Sequence, residues 1–195
     1  MDYRNEMIKY IQNEIGTLKK MDMNSLNNIL NILEEARLGN RNIFVCGNGG
    51  SAATSNHFVL DFNKGIGEKL GKNMYRVISL CESTEMITAI ANDIKFEDVF
   101  LYQIVGKIFE GDVLIGISTS GESVNIVKAM EYVKKKGGVT IALSGASENS
   151  LVKLADYSMC VQSDSVRICE DIHGIINHMM IHALIGELRI KNEEN

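Results

Sequence analysis

The sequence predicts a three-layer, doubly wound α/β sandwich in which a five-stranded parallel sheet follows an N-terminal helical pair. Three observations carry that expectation. Short β-prone runs alternate with helical patterns along the chain. The runs are apolar at nearly every position, as strands covered on both faces must be. A strand, a glycine-rich loop and a helix occur in that order twice. The 195 residues suit a single domain, because a domain of that size buries roughly 70% of the surface its unfolded chain exposes.

From Tyr3 to about Leu38, apolar residues recur at helical spacing. Met7, Ile8, Ile11, Ile15 and Leu18 mark one helix and Leu26, Ile29, Leu30 and Leu33 a second, with Asn24 and Ser25 as cap candidates between them. Residues 1–38 are therefore the helical pair and 39–195 the α/β core. A strand from Asn42 to Cys46 ends in Gly47-Asn-Gly-Gly-Ser51 and gives way to a helix from Ala52 to Phe62. The unit recurs as a strand from Asp112 to Ile117, the loop Ser118-Thr-Ser-Gly-Glu-Ser123 and a helix from Val124 to Lys135. Further strands are predicted at Tyr75–Leu80, Val139–Ser144 and Tyr157–Gln162, and further helices at Glu85–Ala91, Phe96–Phe109 and Cys169–Arg189. The last helix is apolar on more than one face (Ile172, Ile176, Met179, Met180, Ile185), which predicts burial against a second subunit as well as the sheet, hence a homo-oligomer.

Composition narrows the function. The formal charge of −5 is mild and the Lys and Arg residues are scattered, so no basic stripe offers a nucleic-acid groove. Cys46, Cys81, Cys160 and Cys169 lie far apart, with neither disulfide-scaffold density nor zinc-knuckle spacing, which fits a reducing cytoplasm. The charged N-terminus lacks a signal-peptide core, and no apolar run approaches the ~20 residues that span a bilayer. The expectation is a cytoplasmic protein with no membrane partner.

Ligands of open parallel sheets sit beyond the carboxyl ends of the strands, where loop amides and helix N-termini offer N–H donors to an anion. Both glycine loops fall there. Glycine permits positive φ and close approach, while Ser51, Ser118, Thr119, Ser120 and Ser123 add hydroxyl donors without charge, an array that matches a phosphate. Neither loop has the spacing of a P-loop or of a dinucleotide fingerprint, so no nucleotide cofactor is expected. His57 and Asp61, four residues apart after the first loop, share one helix face, and Glu170 and His178 lie on the last helix. His173 and His182 read as satisfied core or interface histidines.

Cys-Gly-Asn-Gly-Gly-Ser at 46–51, Ala-Asn-Asp at 91–93, Gly-Ile-Ser-Thr-Ser-Gly-Glu-Ser at 116–123, Leu-Ser-Gly at 143–145 and the closing Glu-Asp-Ile-His at 170–173 resemble the sugar isomerase (SIS) domain family. Within it, the chain is most similar to the bacterial phosphoheptose isomerases, over nearly its whole length. The resemblance implies a flavodoxin-like SIS sheet and an aldose-ketose isomerase that converts sedoheptulose 7-phosphate to D-glycero-D-manno-heptose 7-phosphate through an enediol. It also implies a homotetramer with sites at subunit contacts. By the same resemblance Gly49, Gly50, Ser51, Ser118, Thr119, Ser120 and Ser123 hold the sugar phosphate, and Asn48, Asp93 and Glu170 line the site. Asp61 is the base, His178 the acid, and His57, Asp61, Glu170 and His178 bind one zinc ion.

Three positions depart from the family pattern. Asp61 stands where Glu is usual, and Glu170 where Gln is usual, with Cys169 as the alternative occupant because the chain there runs one residue longer. Lys64 stands near the place of a family Arg. Two other functions stay open on these grounds: an isomerase of another ketose phosphate, and a non-catalytic SIS protein that binds a sugar phosphate as a regulator or adaptor.

Overall fold

The structure, a computed structural model, describes residues 1–71, 73–145 and 147–193. Strands β1 (Ile43–Gly47), β2 (Val77–Ser79), β3 (Val113–Ser118), β4 (Val139–Ser144) and β5 (Tyr157–Cys160) form one parallel sheet in the order β2-β1-β3-β4-β5. The α/β sandwich read from the sequence is therefore the observed fold. Helices α1 (Arg4–Leu18) and α2 (Met23–Leu38) precede the sheet. Then come α3 (Gly50–Val59), α4 (Gly67–Leu70), α5 (Thr84–Asp93), α6 (Leu101–Ile104), α7 (Val124–Lys135), α8 (Ser150–Leu154) and α9 (Val166–Glu193).

Alternate strand residues feed two cores. Ile43, Val45, Ile115, Ile117, Ile141 and Leu143 pack with α2, α3 and α9 on one face. Phe44, Cys46, Leu114 and Ala142 pack with α5, α7 and α8 on the other. That two-sided burial is why β1 and β3 carry no polar side chain before Ser118. Leu26, Ile29, Leu33 and Ala36 of α2 are buried, at about 1.5–3 kcal/mol for each large side chain, so packing fixes α2. By contrast α1 leaves Met7, Ile8, Ile11 and Ile15 exposed.

Several boundaries differ from the sequence reading. The cap of α2 is Asp22 rather than Asn24 or Ser25; its carboxylate accepts from Asn24 N and Ser25 Oγ. The helix expected over 96–109 is a 3-10 turn (Phe96–Asp98) followed by the short α6, because Gly106 takes φ 74° and the chain cannot continue right-handed through it. Strand β2 is shorter than expected and lies at the sheet edge. The helix after the first loop becomes a π-helical turn at Leu60–Gly65. There Asn63 pins the edge strand, accepting from Val77 N at 3.0 Å and donating to Val77 O at 2.8 Å, while Phe62 and Ile66 remain buried.

Candidate active site

In the strand order above, the chain winds in opposite directions from β1 and β3, so the loops after these two strands flank the point where ligands enter doubly wound sheets. The first loop is shaped by its glycines. A Cβ at Gly47 would stand 2.7 Å from the backbone of Ser51, and Gly49 has φ 55° with ψ −122°, a region closed to other residues. These constraints let the chain leave β1 and start α3 within two residues, so the N-terminus of α3 points into the cleft.

In the second loop, Ser118 Oγ accepts from Gly121 N at 3.0 Å and lies 3.1 Å from Ser123 Oγ and 3.4 Å from Ser120 Oγ. Gly121, at φ 68°, permits this hairpin of hydroxyls, and the Asn149 side chain fills the place a Cβ would need. The two loops are tied by a reciprocal amide pair: Asn48 Nδ2 donates to Asn125 Oδ1 at 3.0 Å and Asn125 Nδ2 returns to Asn48 Oδ1 at 2.9 Å. Asn48, Ser51, Ser118, Thr119, Ser120, Ser123 and Glu170 line one small cleft. Larger cavities lie beside α1 and between α2 and α9. The first is lined by Thr17 and by Ser163 and Ser165 at the start of α9, but neither is lined by a residue of the two glycine loops.

A second cluster lies farther along the same helices. His57 Nε2 stands 3.1 Å from Asp61 Oδ2, His178 Nε2 stands 3.5 Å from it, and the two ring nitrogens are 3.2 Å apart. The π-helical turn begins at Leu60, with Ile66 N donating to Asp61 O at 3.0 Å. It widens the helix where Asp61 must meet α9; such bulges are frequent at functional sites. Asp61 is further fixed by Asn177, whose Nδ2 donates to Asp61 Oδ2 at 2.6 Å. The cluster fits a metal ion: a tetrahedral ion with bonds of about 2.0 Å holds its ligands about 3.3 Å apart, and these three atoms already stand at 3.1–3.5 Å.

The remaining predicted residues are distributed differently. Glu170 stands apart from the His57, Asp61, His178 group among the described residues. It precedes His178 by eight residues, about 12 Å along α9, and its carboxylate lies in the cleft over Gly50, 2.5 Å from where a Cβ would be. Cys169 is buried with its Sγ toward Ser163 O, so Glu170 and not Cys169 faces the site. Asp93, at the end of α5, is exposed and accepts from Asn92 Nδ2, away from the cleft lining within one chain. Lys64 is exposed beside Glu68, and His182 is exposed as well.

His173 is fully buried, as expected for a core residue, but neither ring nitrogen has a hydrogen-bond partner among the described residues. Burial pushes its pKa down to about 4, partly opposed by the nearby backbone of Ser144. The sequence reading missed Asn125 and Asn177. Asn125 carried a signal, since it stands two residues past the second loop in the first turn of an amphipathic helix. Asn177 carried the signal of a lone polar residue on an apolar helix face, one position before His178.

The SIS domain family pattern matches residues 6–145. A phosphoheptose isomerase from Nitratiruptor is 40% identical over 154 residues, which is 78% of this chain and 80% of that protein. One from Akkermansia muciniphila is 35% identical, over 78% of this chain and 79% of that protein. Among solved structures, the phosphoheptose isomerase of Neisseria gonorrhoeae superposes with a TM-score of 0.86 at 25% identity, covering 95% of this chain and all of that one. With this sheet order, two hydroxyl-lined loops at its switch point and relatives of that kind over most of its length, the chain belongs to the SIS domain family and groups there with proteins named phosphoheptose isomerase.

Proposed function

We propose that the protein is an aldose-ketose isomerase that converts sedoheptulose 7-phosphate to D-glycero-D-manno-heptose 7-phosphate. The observation that carries this reading is the spacing between the two halves of the site. Helix α3 starts at the anion cleft and reaches His57 seven residues past Gly50, about 10 Å along its axis. From phosphorus to C1, an extended seven-carbon sugar phosphate spans eight bonds, also about 10 Å at the ~1.2 Å per bond of an extended chain. A five-carbon ketose phosphate falls about two bonds short. The relatives named phosphoheptose isomerase support the same substrate.

In this reading the phosphate is held by Ser51, Ser118, Thr119, Ser120 and Ser123 and by the N-termini of α3 and α7. Gly49 and Gly50 let it approach, and Asn48 and Glu170 meet sugar hydroxyls. Asp61 removes a proton from C1 while His178 gives one to O2, forming the enediol. Asp61 then returns the proton to C2 and His178 takes the proton from O1, so the protein is unchanged at the end. His57, Asp61 and His178 would hold a zinc ion, which when bound supplies a Lewis acid for the developing enediolate.

The exposure of His57 and His178, at 47% and 62% of their side chains, supports sites completed at subunit contacts in a homotetramer. Such an assembly would offer Asp93, exposed and outside the cleft lining of one chain, a place at a neighbouring site. Exposed Met7, Ile8, Ile11 and Ile15 on α1 supply an apolar surface for it. Among the described residues no helix is long and apolar enough to cross a membrane; a cytoplasmic location fits that and the reduced cysteines. A panel of five-, six- and seven-carbon ketose phosphates tests the reading: turnover is expected to peak at seven carbons, and a preference for five would overturn it.

A further inference from the structure

Asn177 lies on α9 with its side chain 1% exposed, one residue before His178. Its amide is used on one side only. Nδ2 donates to Asp61 Oδ2 at 2.6 Å, whereas Oδ1 is buried without a hydrogen-bond partner among the described residues. The carboxylate fixes the direction of the amide, because only the nitrogen can donate to it. A buried acceptor with no donor costs stability, and an aliphatic side chain of the same volume would avoid that cost. An asparagine kept here therefore serves the carboxylate it holds rather than the packing of α9. His173, one turn earlier on the same helix, shows the same feature, buried with both ring nitrogens unpartnered.

We propose that Asn177 is a positioning residue: it holds the Asp61 carboxylate at the meeting point of His57 and His178, and it does so at the expense of stability. Asp61 has a side chain one methylene shorter than glutamate. It meets His178, on the other helix, only if its last torsion is held, and the histidines alone do not hold it because one oxygen serves all three neighbours. Asn177 reaches that oxygen from α9 and fixes both the torsion and the distance between α9 and the π-helical turn. The inference rests on the proposed isomerase reading for its kinetic arm only.

The test compares Asn177→Leu with the wild-type protein. The expected result is a kcat lower by about tenfold to a hundredfold, as displacement of a reacting group by about 1 Å produces, with KM within about threefold and a melting temperature equal to or above wild type. In an Asp61→Asn background the same substitution changes kcat less than about twofold, since a residue that acts through Asp61 has nothing left to position. Asn177→Asp, which keeps the shape and replaces the donor with an acceptor, loses at least as much kcat.

A crystal structure of Asn177→Leu is expected to show the Asp61 carboxylate turned away from His178. An unchanged kcat, a kcat that falls only in step with the melting temperature, full additivity with Asp61→Asn, or an Asp61 that stays in place would each overturn the proposal. If wild-type protein turns over no ketose phosphate, the functional reading fails, and the crystallographic arm still decides the role of Asn177.

Discussion

At the scale of single residues, the site is built from side chains whose neighbours leave them little choice. Gly50 has no side chain because the Glu170 carboxylate lies against it, and Gly47 has none because Ser51 does. Burial shifts the titration of His173 across the mildly acidic range. Its pKa falls from 6.5 to about 4 because burial disfavours the imidazolium. The folded value lies below the unfolded one, so the unfolded chain takes up the proton first. Stability from this group is complete above about pH 6.5 and is lost as pH falls from there toward 4, by on the order of 3 kcal/mol. Denaturant titrations across that window are expected to show the loss, and His173→Phe is expected to flatten it. A slope that persists unchanged in His173→Phe would assign it to the carboxylates instead.

At the scale of elements, what matters is how loops and helices are fastened together. The glycine loops and the five strands were legible in the sequence because their signals are local: apolar runs, glycines and hydroxyls at consecutive positions. His57 and Asp61 were legible as a helical pair for the same reason. What escaped are contacts between residues distant in the chain. The Asn48–Asn125 pair joins residues 77 apart, and Asn177 meets Asp61 across 116. No pattern in one segment announces either.

The separation of Glu170 from His57, Asp61 and His178 was not legible for a related reason. Spacing along α9 shows which residues share a face but not which neighbour each one meets. The π-helical turn was missed because local helix propensity carries no sign of the Asn63 contact with the edge strand that accompanies it. Asn125→Leu tests the fastening. It leaves the Asn48 amide half-buried and unpaired, so a stability loss of about 1–3 kcal/mol is expected, with KM for the sugar phosphate raised and kcat changed less. Unchanged KM would mean that the loops hold their relative places without the amide pair.

At the scale of the whole molecule, α3 and α9 join the anion cleft to the His57, Asp61, His178 cluster, and the stretches 50–57 and 170–178 each cover about 10–12 Å, the length of one proposed substrate. In the proposed reaction the first turns of each helix, at Gly50 and Glu170, face the phosphate end, and His57 and His178, two turns on, face the carbons that react. That arrangement explains why the first glycine loop and the His57–Asp61 pair lie on one continuous stretch of chain. It also leaves His57 and His178 open on one side, and α1 presents Ile8 and Ile11 to solvent near α9. On the proposed homotetramer, Ile8→Glu with Ile11→Glu is expected to give smaller species than the wild type in light scattering and to lower kcat with them. An assembly that survives both charges would remove α1 from the subunit contact.

The most direct test of the account is the conversion of sedoheptulose 7-phosphate in D₂O, followed by NMR for aldose formation and for deuterium at the transferred position, in wild-type protein and in Asp61→Asn. The account predicts aldoheptose phosphate with solvent deuterium incorporated by the wild type, and a rate lower by ~10²–10⁴-fold in Asp61→Asn, the range a general base supplies. No conversion by the wild type, or equal rates in the two proteins, would contradict it.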